Sequence, residues 1–515
     1  MSRSLACWVV VLVCAMGASA RTIFTREQFD ELDARLDASR DFATATADAF
    51  AWGESYAMRG YLEMYRATGD ADYLRRLVRV ADAIIARRDD RRPEGERPSE
   101  HPVWSIDAQF TVARLVLRDD QGRDAILLRS ILSGNNDTIT VSFVPGERPG
   151  TFTLSQASEY WSQHLDCNRT FADLSLDPAD ERYFPRVINN LDYIPEPDYE
   201  RIDDPDARPS ELLVAVDLRE TRTAETRLAP VTDARLVPMS VPYWGYIGPI
   251  YGPMTGLARL VSAEPALQAE FGAAADRLAA AATESMDGWE RLWREGPGEG
   301  QGYYLSIERG GGLWWDGVMA PMNYLAAAGM VLLDLWECRG DQRALDHATC
   351  LARLLQSDLE LDAGGAYVFH YWPTSAVAMW TRENALSLNT PVYRSSPVPD
   401  DLSHGAWSVE FAVRCHQAGV VFSREDMDRF ALTFTRNLWR GPNQHLAMRV
   451  DGAREGSAGL DIGGTRWLDL CPYEPRIYEM MRTLYHEFDL GRGVYGHALG
   501  GYGRMYRWQR ELEGR

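Results

Sequence analysis

Helical hairpins recur along this chain, and that recurrence constrains the fold more than any single motif. The stretch Glu54-Ser-Tyr-Ala-Met-Arg-Gly-Tyr-Leu-Glu-Met-Tyr65 is followed by Ala67-Thr-Gly-Asp70, then by Tyr73, Leu74, Val78, Ala81, Ile84 and Ile85. Apolar residues return every three or four positions in both halves, the period of a helix with one buried face. Gly69 is placed to stop the first helix and Asp70 to cap the second. The same unit is legible at 320–358, with its turn at Gly340-Asp341, and at 403–440, where Ser423-Arg-Glu-Asp426 carries a capping serine. A fourth copy runs from Pro249 through Leu260 into 266–290, and a fragmentary fifth covers 475–488 and 495–513. Repeated helix pairs build open solenoids or closed α/α-toroids. Open solenoids keep a near-uniform period, whereas these units start at 54, 249, 320, 403 and about 495. Long aromatic loops lie between them, such as Gly302-Tyr-Tyr-Leu305, Gly312-Leu-Trp-Trp-Asp-Gly317 and Gly365-Ala-Tyr-Val-Phe-His-Tyr-Trp-Pro373. Loops of that length are usually functional. The expected fold is mainly α, an incomplete α/α-toroid of helical hairpins.

Residues 107–240 break this pattern. Phe110 to Leu117, Ala125 to Leu132 and Thr138 to Val144 read as strands, separated by Asp119-Asp-Gln-Gly122 and Gly134-Asn-Asn-Asp137 and closed by Pro145-Gly146. Leu212 to Leu218 reads as another strand, and 178–209 is acidic and proline-rich. A β-rich, sandwich-like insertion is expected inside the first hairpin or just after it. The organisation is thus a targeting segment at 1–20, the first hairpin at 21–106, the insertion at 107–240 and the remaining hairpins at 241–515.

Arg3, the apolar run Leu5 to Met16 and Gly17-Ala-Ser-Ala20 have the order of a secretory signal peptide, so a secreted or periplasmic location is expected. The apolar run is too short to span a bilayer, and no other run of that character follows. Removing Arg3 would take the formal charge from −21 to −22. That acidity argues against a nucleic-acid partner, which needs clustered basic residues. All 54 basic residues are arginine, with no lysine, which excludes Schiff-base chemistry and a phosphate-binding loop lysine. Beyond the signal the cysteines are Cys167, Cys338, Cys350, Cys415 and Cys471, widely spaced, with no Cys-x-x-Cys. They read as buried thiols, with a Cys338–Cys350 pair across a hairpin as the alternative.

Inner helices of a toroid begin on one rim, where their N-termini favour anionic groups. The residues expected there are Trp52, Glu54, Tyr251, Asn323, Tyr324, His404 and His497, with Asp316 and His370 just upstream. Trp314, Trp315, Tyr371 and Trp372 offer planes on which sugar rings stack, and Arg394 can pair with a substrate carboxylate. His404 follows Asp400-Asp401-Leu-Ser403, with Ser403 as the expected cap. A dipole-lowered pKa would suit it as a neutral base. Asp203-Asp-Pro-Asp206 is the one calcium candidate, without EF-hand spacing, and no cofactor is expected. No zincin motif, nucleophile elbow or dinucleotide fingerprint occurs.

Three segments carry a family likeness: Trp52-Gly-Glu-Ser-Tyr56 with Thr68-Gly-Asp70 and Tyr73-Leu74, the Gly365–Trp372 loop, and Asp401-Leu-Ser-His-Gly405. With them the chain resembles carbohydrate-active proteins of the six-hairpin, α/α-toroid type. Within these it is similar to the catalytic domains of glucuronyl C5-epimerases and to toroidal polysaccharide lyases. The resemblance implies a secreted enzyme acting on a uronic-acid polysaccharide or oligosaccharide by abstraction of the C5 proton. His404 or a tyrosinate would take the proton, Asn323 or an arginine would neutralise the carboxylate, and Tyr324 or His497 would donate. Two alternatives stand beside it. One is a toroidal glycoside hydrolase with Glu54 and Asp316 as paired carboxyls roughly 5–10 Å apart. The other is a glycan-binding protein without turnover. The acidity of the chain favours a neutral substrate, although salt screens it beyond about 10 Å.

Overall fold

The computed structural model describes residues 24–106, 113–132, 134–190, 209–222, 226–390, 392–393, 397–493 and 495–514. The targeting segment, Asp203–Asp206 and Arg394 lie outside them.

Six helical segments form an inner layer: Ser55–Thr68, Ile247–Ala263, Met322–Arg339, Leu402–Gln417, the 3₁₀ run Ile462–Leu470 and Gly496–Glu513. Each packs on the next and the last packs on the first, so the ring closes. Asp72–Ile85, Gln268–Gly288, Gln342–Ser357, Arg424–Leu432 and Arg476–Phe488 back the first five from outside. Arg26–Ser39 backs the sixth. The expectation of an incomplete ring is thereby corrected to six pairs. Two members were hidden for physical reasons. Ile462–Leu470 contains Gly463-Gly464 and winds as a 3₁₀ helix, so it lacks a 3.6-residue stripe. Arg26–Ser39 buries little beyond Phe29, Asp33 and Leu36. The 475–513 region is correspondingly not one hairpin: its first helix lies outside the 3₁₀ run, and its second is an inner member.

Glycines line the seam where the ring closes. A Cβ on Gly500 would lie 2.6 Å from the Tyr56 carbonyl oxygen, and one on Gly60 would lie 3.1 Å from the Leu499 carbonyl oxygen. The Gly500-Gly-Tyr-Gly503 run therefore serves backbone approach between the first and last inner helices. The core fills the space between layers, with Leu74, Leu77, Leu351, Leu355, Trp407 and Trp467 all buried. The lumen itself is crossed by charge. Buried Glu410 accepts Arg466 Nη2 at 2.6 Å, pairs with Arg504 and lies 3.5 Å from Arg59.

The β insertion follows the first hairpin. Its two antiparallel four-stranded sheets have the orders Leu213–Asp217, Asp124–Ser130, Ala113–Arg118, Val237–Pro238 and Arg169–Ser175, Thr151–Ser158, Ile139–Pro145, Val231–Arg235. Strand Thr151–Ser158 alternates buried and half-buried residues, the period of a strand with one face on a core. Ile126, Leu128, Leu154 and Phe171, from both sheets, share that core. The chain leaves and re-enters the ring through one short ladder, Ser105 opposite Pro242 and Ile106 opposite Val241. Arg129 Nη1 donates to Asn389 Oδ1 at 2.9 Å, tying the insertion to a ring loop. All five described cysteines are free. No described helix is long and apolar enough to cross a membrane.

Candidate functional site

The inner segments start on a common rim. Gly463 lies against Ser403, Gly248 lies against Ala327 and Ala328, and the Trp52 ring is 5.8 Å from that of Tyr324. The helix at Leu402 is capped by Asp401, not by the expected Ser403. Asp401 has extended backbone, and its Oδ1 accepts from the Ser403 and His404 amides at 2.8 and 2.9 Å. Its other oxygen lies 2.5 Å from His404 Nδ1, which orients the imidazole and leaves Nε2 for chemistry. The His404 side chain is 43% exposed, and its ring meets that of Tyr371 edge-on at 5.2 Å. Burial pulls the imidazole pKa down, but the hydrogen bond and charge of Asp401 leave it raised above its ordinary value. The expected lowering by the helix dipole is therefore corrected: a carboxylate in contact outweighs the dipole.

Asp400 is fully buried. Its Oδ1 accepts from the Asp401 amide at 2.9 Å, and its Oδ2 has no hydrogen-bond partner among the described residues. Burial, reinforced by the Asp401 charge, raises its pKa to about 8, so it is largely protonated at neutral pH. Asp400, Asp401 and His404 bring one ligand atom each within 4.8 Å of one another, the arrangement a divalent ion could use. An ion there would have to displace the Asp401–His404 hydrogen bond.

Aromatic rings extend this site across the mouth. Trp52 touches Tyr324 and, at 6.4 Å, Trp407; Tyr56 lies 6.0 Å from Trp407 and 3.6 Å from the His497 ring. Burial raises the Tyr324 pKa to about 12, so its hydroxyl keeps its proton. Burial and the Arg466 charge lower His497 to about 4, so this imidazole is neutral and is no proton donor at pH 7. That corrects one of the two expected donors. Arg466 spans the floor, 3.9 Å over the Trp407 ring, with Nη1 donating to the Ser403 carbonyl at 3.1 Å. Asn323 is buried, with both side-chain polar atoms unpartnered among the described residues.

Beside Tyr324 opens a cleft of about 490 Å³ between ring and insertion. Asp48, Trp52, Tyr243, Tyr246, Trp315 and Tyr324 form the ring side, and Asn135, Tyr160 and Trp161 the insertion side. The volume falls in the roughly 300–1,000 Å³ range of small-molecule clefts.

Several expected residues serve the structure instead. Tyr251 is fully buried, its hydroxyl 2.9 Å from Ser285 Oγ and accepting from Arg88 at 3.1 Å. The helix begins earlier, at Ile247, which carries Tyr251 below the rim. Glu54 is held by Arg40 at 2.9 Å. Asp316 is fully buried and accepts from the Leu388 and Asn389 amides at 3.1 and 3.0 Å, as well as from Gly310 and Ser387. Both carboxyls are thus engaged by neighbouring groups, Glu54 by Arg40 and Asp316 by the backbone around Leu388, and the structure brings nothing that favours their pairing. His370 is buried against Asp358, with Nδ1 3.3 Å from the carboxylate. Trp372 donates its indole N–H to the Met319 carbonyl at 2.9 Å, and Trp314 packs on Trp372 and Trp380. Sequence reasoning missed Asn135, Tyr160, Trp161, Tyr243 and Arg466. The Asn135 turn and the adjacent aromatics Tyr160-Trp161 were visible signals, but nothing local says that the insertion folds onto the rim.

No family model matches this chain, and no curated protein matches it. Among solved structures it is similar to a GH76 α-mannanase of Bacteroides thetaiotaomicron at 13% identity, over 52% of this chain and 87% of that one, with a TM-score of 0.31.

Proposed function

We propose that the protein is a secreted carbohydrate-active enzyme of the α/α-toroid type that removes the C5 proton from a uronate residue of a polysaccharide. The observation that carries this reading is the His404–Asp401 pair at the mouth of the ring, set beside Tyr371 and within a continuous run of aromatic rings. His404 Nε2 takes the C5 proton as the C5–H bond breaks, and the electron pair passes into the adjoining carboxyl group. Asp401 stabilises the imidazolium that forms. Tyr324, protonated at neutral pH, is the donor. Returned to C5 from the opposite face, its proton completes an epimerisation. Delivered to O4 as the C4–O4 bond breaks, it completes a β-elimination. The unpaired Asn323 amide is the group available to polarise the carboxylate. Paired-carboxylate hydrolysis gains no support, because Glu54 and Asp316 are held by other partners.

The test is incubation with uronic-acid polysaccharides in deuterium oxide, following deuterium at C5 and the ultraviolet absorbance of an unsaturated uronide. The expected result is one of the two signals, lost in His404→Ala. New reducing ends without either signal would replace this reading with hydrolysis, and no turnover would leave a binding protein.

A further inference from the structure

We propose that the β insertion supplies a sugar-binding wall, built from Asn135, Tyr160 and Trp161, that takes an uncharged pyranose ring of the glycan. This deepens the carbohydrate reading above and rests on it. Tyr160 and Trp161 stand perpendicular at 5.1 Å, and Tyr160 remains 38% exposed. Rings serving only to glue the insertion to the ring would be packed against it; these border an open cleft. Trp161 is also fixed in advance. The Trp161 indole N–H donates to the Gly134 carbonyl at 2.9 Å, and its backbone N–H donates to Ser158 Oγ at 3.1 Å. A wall held rigid before binding loses little entropy when a sugar stacks on it.

Asn135 adds a second, independent observation. Its backbone is left-handed, with φ 51° and ψ 29°, a conformation that asparagine adopts more readily than most residues with a side chain. Asn135 is one of the residues that line the cleft. A neutral amide beside two aromatic planes suits ring hydroxyls and the apolar C–H face of a sugar.

Charge selects the kind of ring. Among the described residues the cleft lining contains no arginine or histidine, and its one carboxyl, Asp48, accepts from the Tyr246 hydroxyl. A carboxylate or sulfate seated here would meet the like charge of Asp48, with no cation among the described lining residues. Trp52 borders this cleft and its ring lies 6.4 Å from that of Trp407, which is on the same helix as His404 and within one turn of it. An uncharged unit in the cleft would therefore adjoin the unit at the catalytic pair.

The experiment titrates the full chain, by calorimetry, with hexasaccharides of chitin, mannan, hyaluronan and polygalacturonate. The last carries a carboxylate on every ring. At least one of the first three is expected to bind. Tyr160→Ala should weaken that binding about 10-fold. Asn135→Gly keeps the left-handed turn while removing the amide, so it should weaken binding several-fold without lowering the melting temperature. This separates ligand contact from folding. The polygalacturonate hexamer should be insensitive to both changes. The proposal is overturned if no hexamer with uncharged rings binds, if both variants bind like the parent, or if polygalacturonate loses as much affinity as the others. His404→Ala, run in parallel, keeps the two readings apart. Binding that depends on Tyr160 without any C5 exchange would retain the wall and remove the proposed reaction. Exchange indifferent to Tyr160 and Asn135 would do the reverse.

Discussion

Glu410→Gln would remove the carboxylate that three arginines share in the lumen of the ring. Glu410 is 2% exposed; Arg466 and Arg504 hydrogen-bond to it, and Arg59 lies 3.5 Å away. After the change Arg504 keeps Asp469 at 3.2 Å and Arg466 keeps the Trp407 face, whereas Arg59 loses its ion pair. Despite the cost of burial, these arginines lower the Glu410 pKa from 4.5 to about 2. At 1.36 kcal/mol per pH unit, that fall corresponds to about 3 kcal/mol. It agrees with the roughly 3–5 kcal/mol lost when one partner of a buried pair is removed. Because the folded pKa is depressed, this stability is present in full above pH 4.5 and disappears as the pH falls through about 2. Urea unfolding at neutral pH should show the variant about 3 kcal/mol less stable, with the gap narrowing as the pH is lowered below 4.5. A gap under about 0.5 kcal/mol at neutral pH, the scatter of an inconsequential substitution, would refute the reasoning. So would a gap that ignores pH. The same change frees the Arg466 charge, which lowers the pKa of both His404 and His497, so it should also move the activity profile to lower pH.

Asp401→Asn keeps a side-chain oxygen for the helix cap but removes the charge that raises the His404 pKa. Activity of the parent should rise with pH through a midpoint above 6.5, and the variant's midpoint should fall below the parent's in a pH–rate profile of C5 exchange. Gly500→Ala forces a methyl group onto the Tyr56 carbonyl at the ring seam and should cost about 1–3 kcal/mol. Gly53→Ala, with nothing within 4 Å of the new Cβ, is the control, and calorimetric melting compares them. Since the described cysteines are free, a thiol reductant should leave the melting temperature unchanged, and a drop of several degrees would reveal a disulfide.

Several elements were legible because the forces that form them act within a few residues. The hairpins at 54–85, 320–358 and 403–440 showed themselves through apolar periodicity and glycine stops, and Gly69 and Gly340 do close their helices in the left-handed conformation. Four strands of the insertion, Ala113–Arg118, Asp124–Ser130, Ile139–Pro145 and Leu213–Asp217, showed themselves as runs between turn residues, while Thr151–Ser158, Arg169–Ser175 and Val231–Arg235 did not, and His404 showed itself through its place at a helix start. Closure of the ring was decided elsewhere. It depends on a glycine seam between residues more than 400 positions apart and on a polar N-terminal helix that backs the last inner one. Tertiary contacts also decided which rim residues can react. Arg40 occupies Glu54, the backbone around Leu388 occupies Asp316, and Ser285 with Arg88 occupies Tyr251. Local sequence sets which surfaces a segment can offer. Burial, pairing and proton affinity are set by the residue on the far side of each contact, and only the folded chain brings that residue into place.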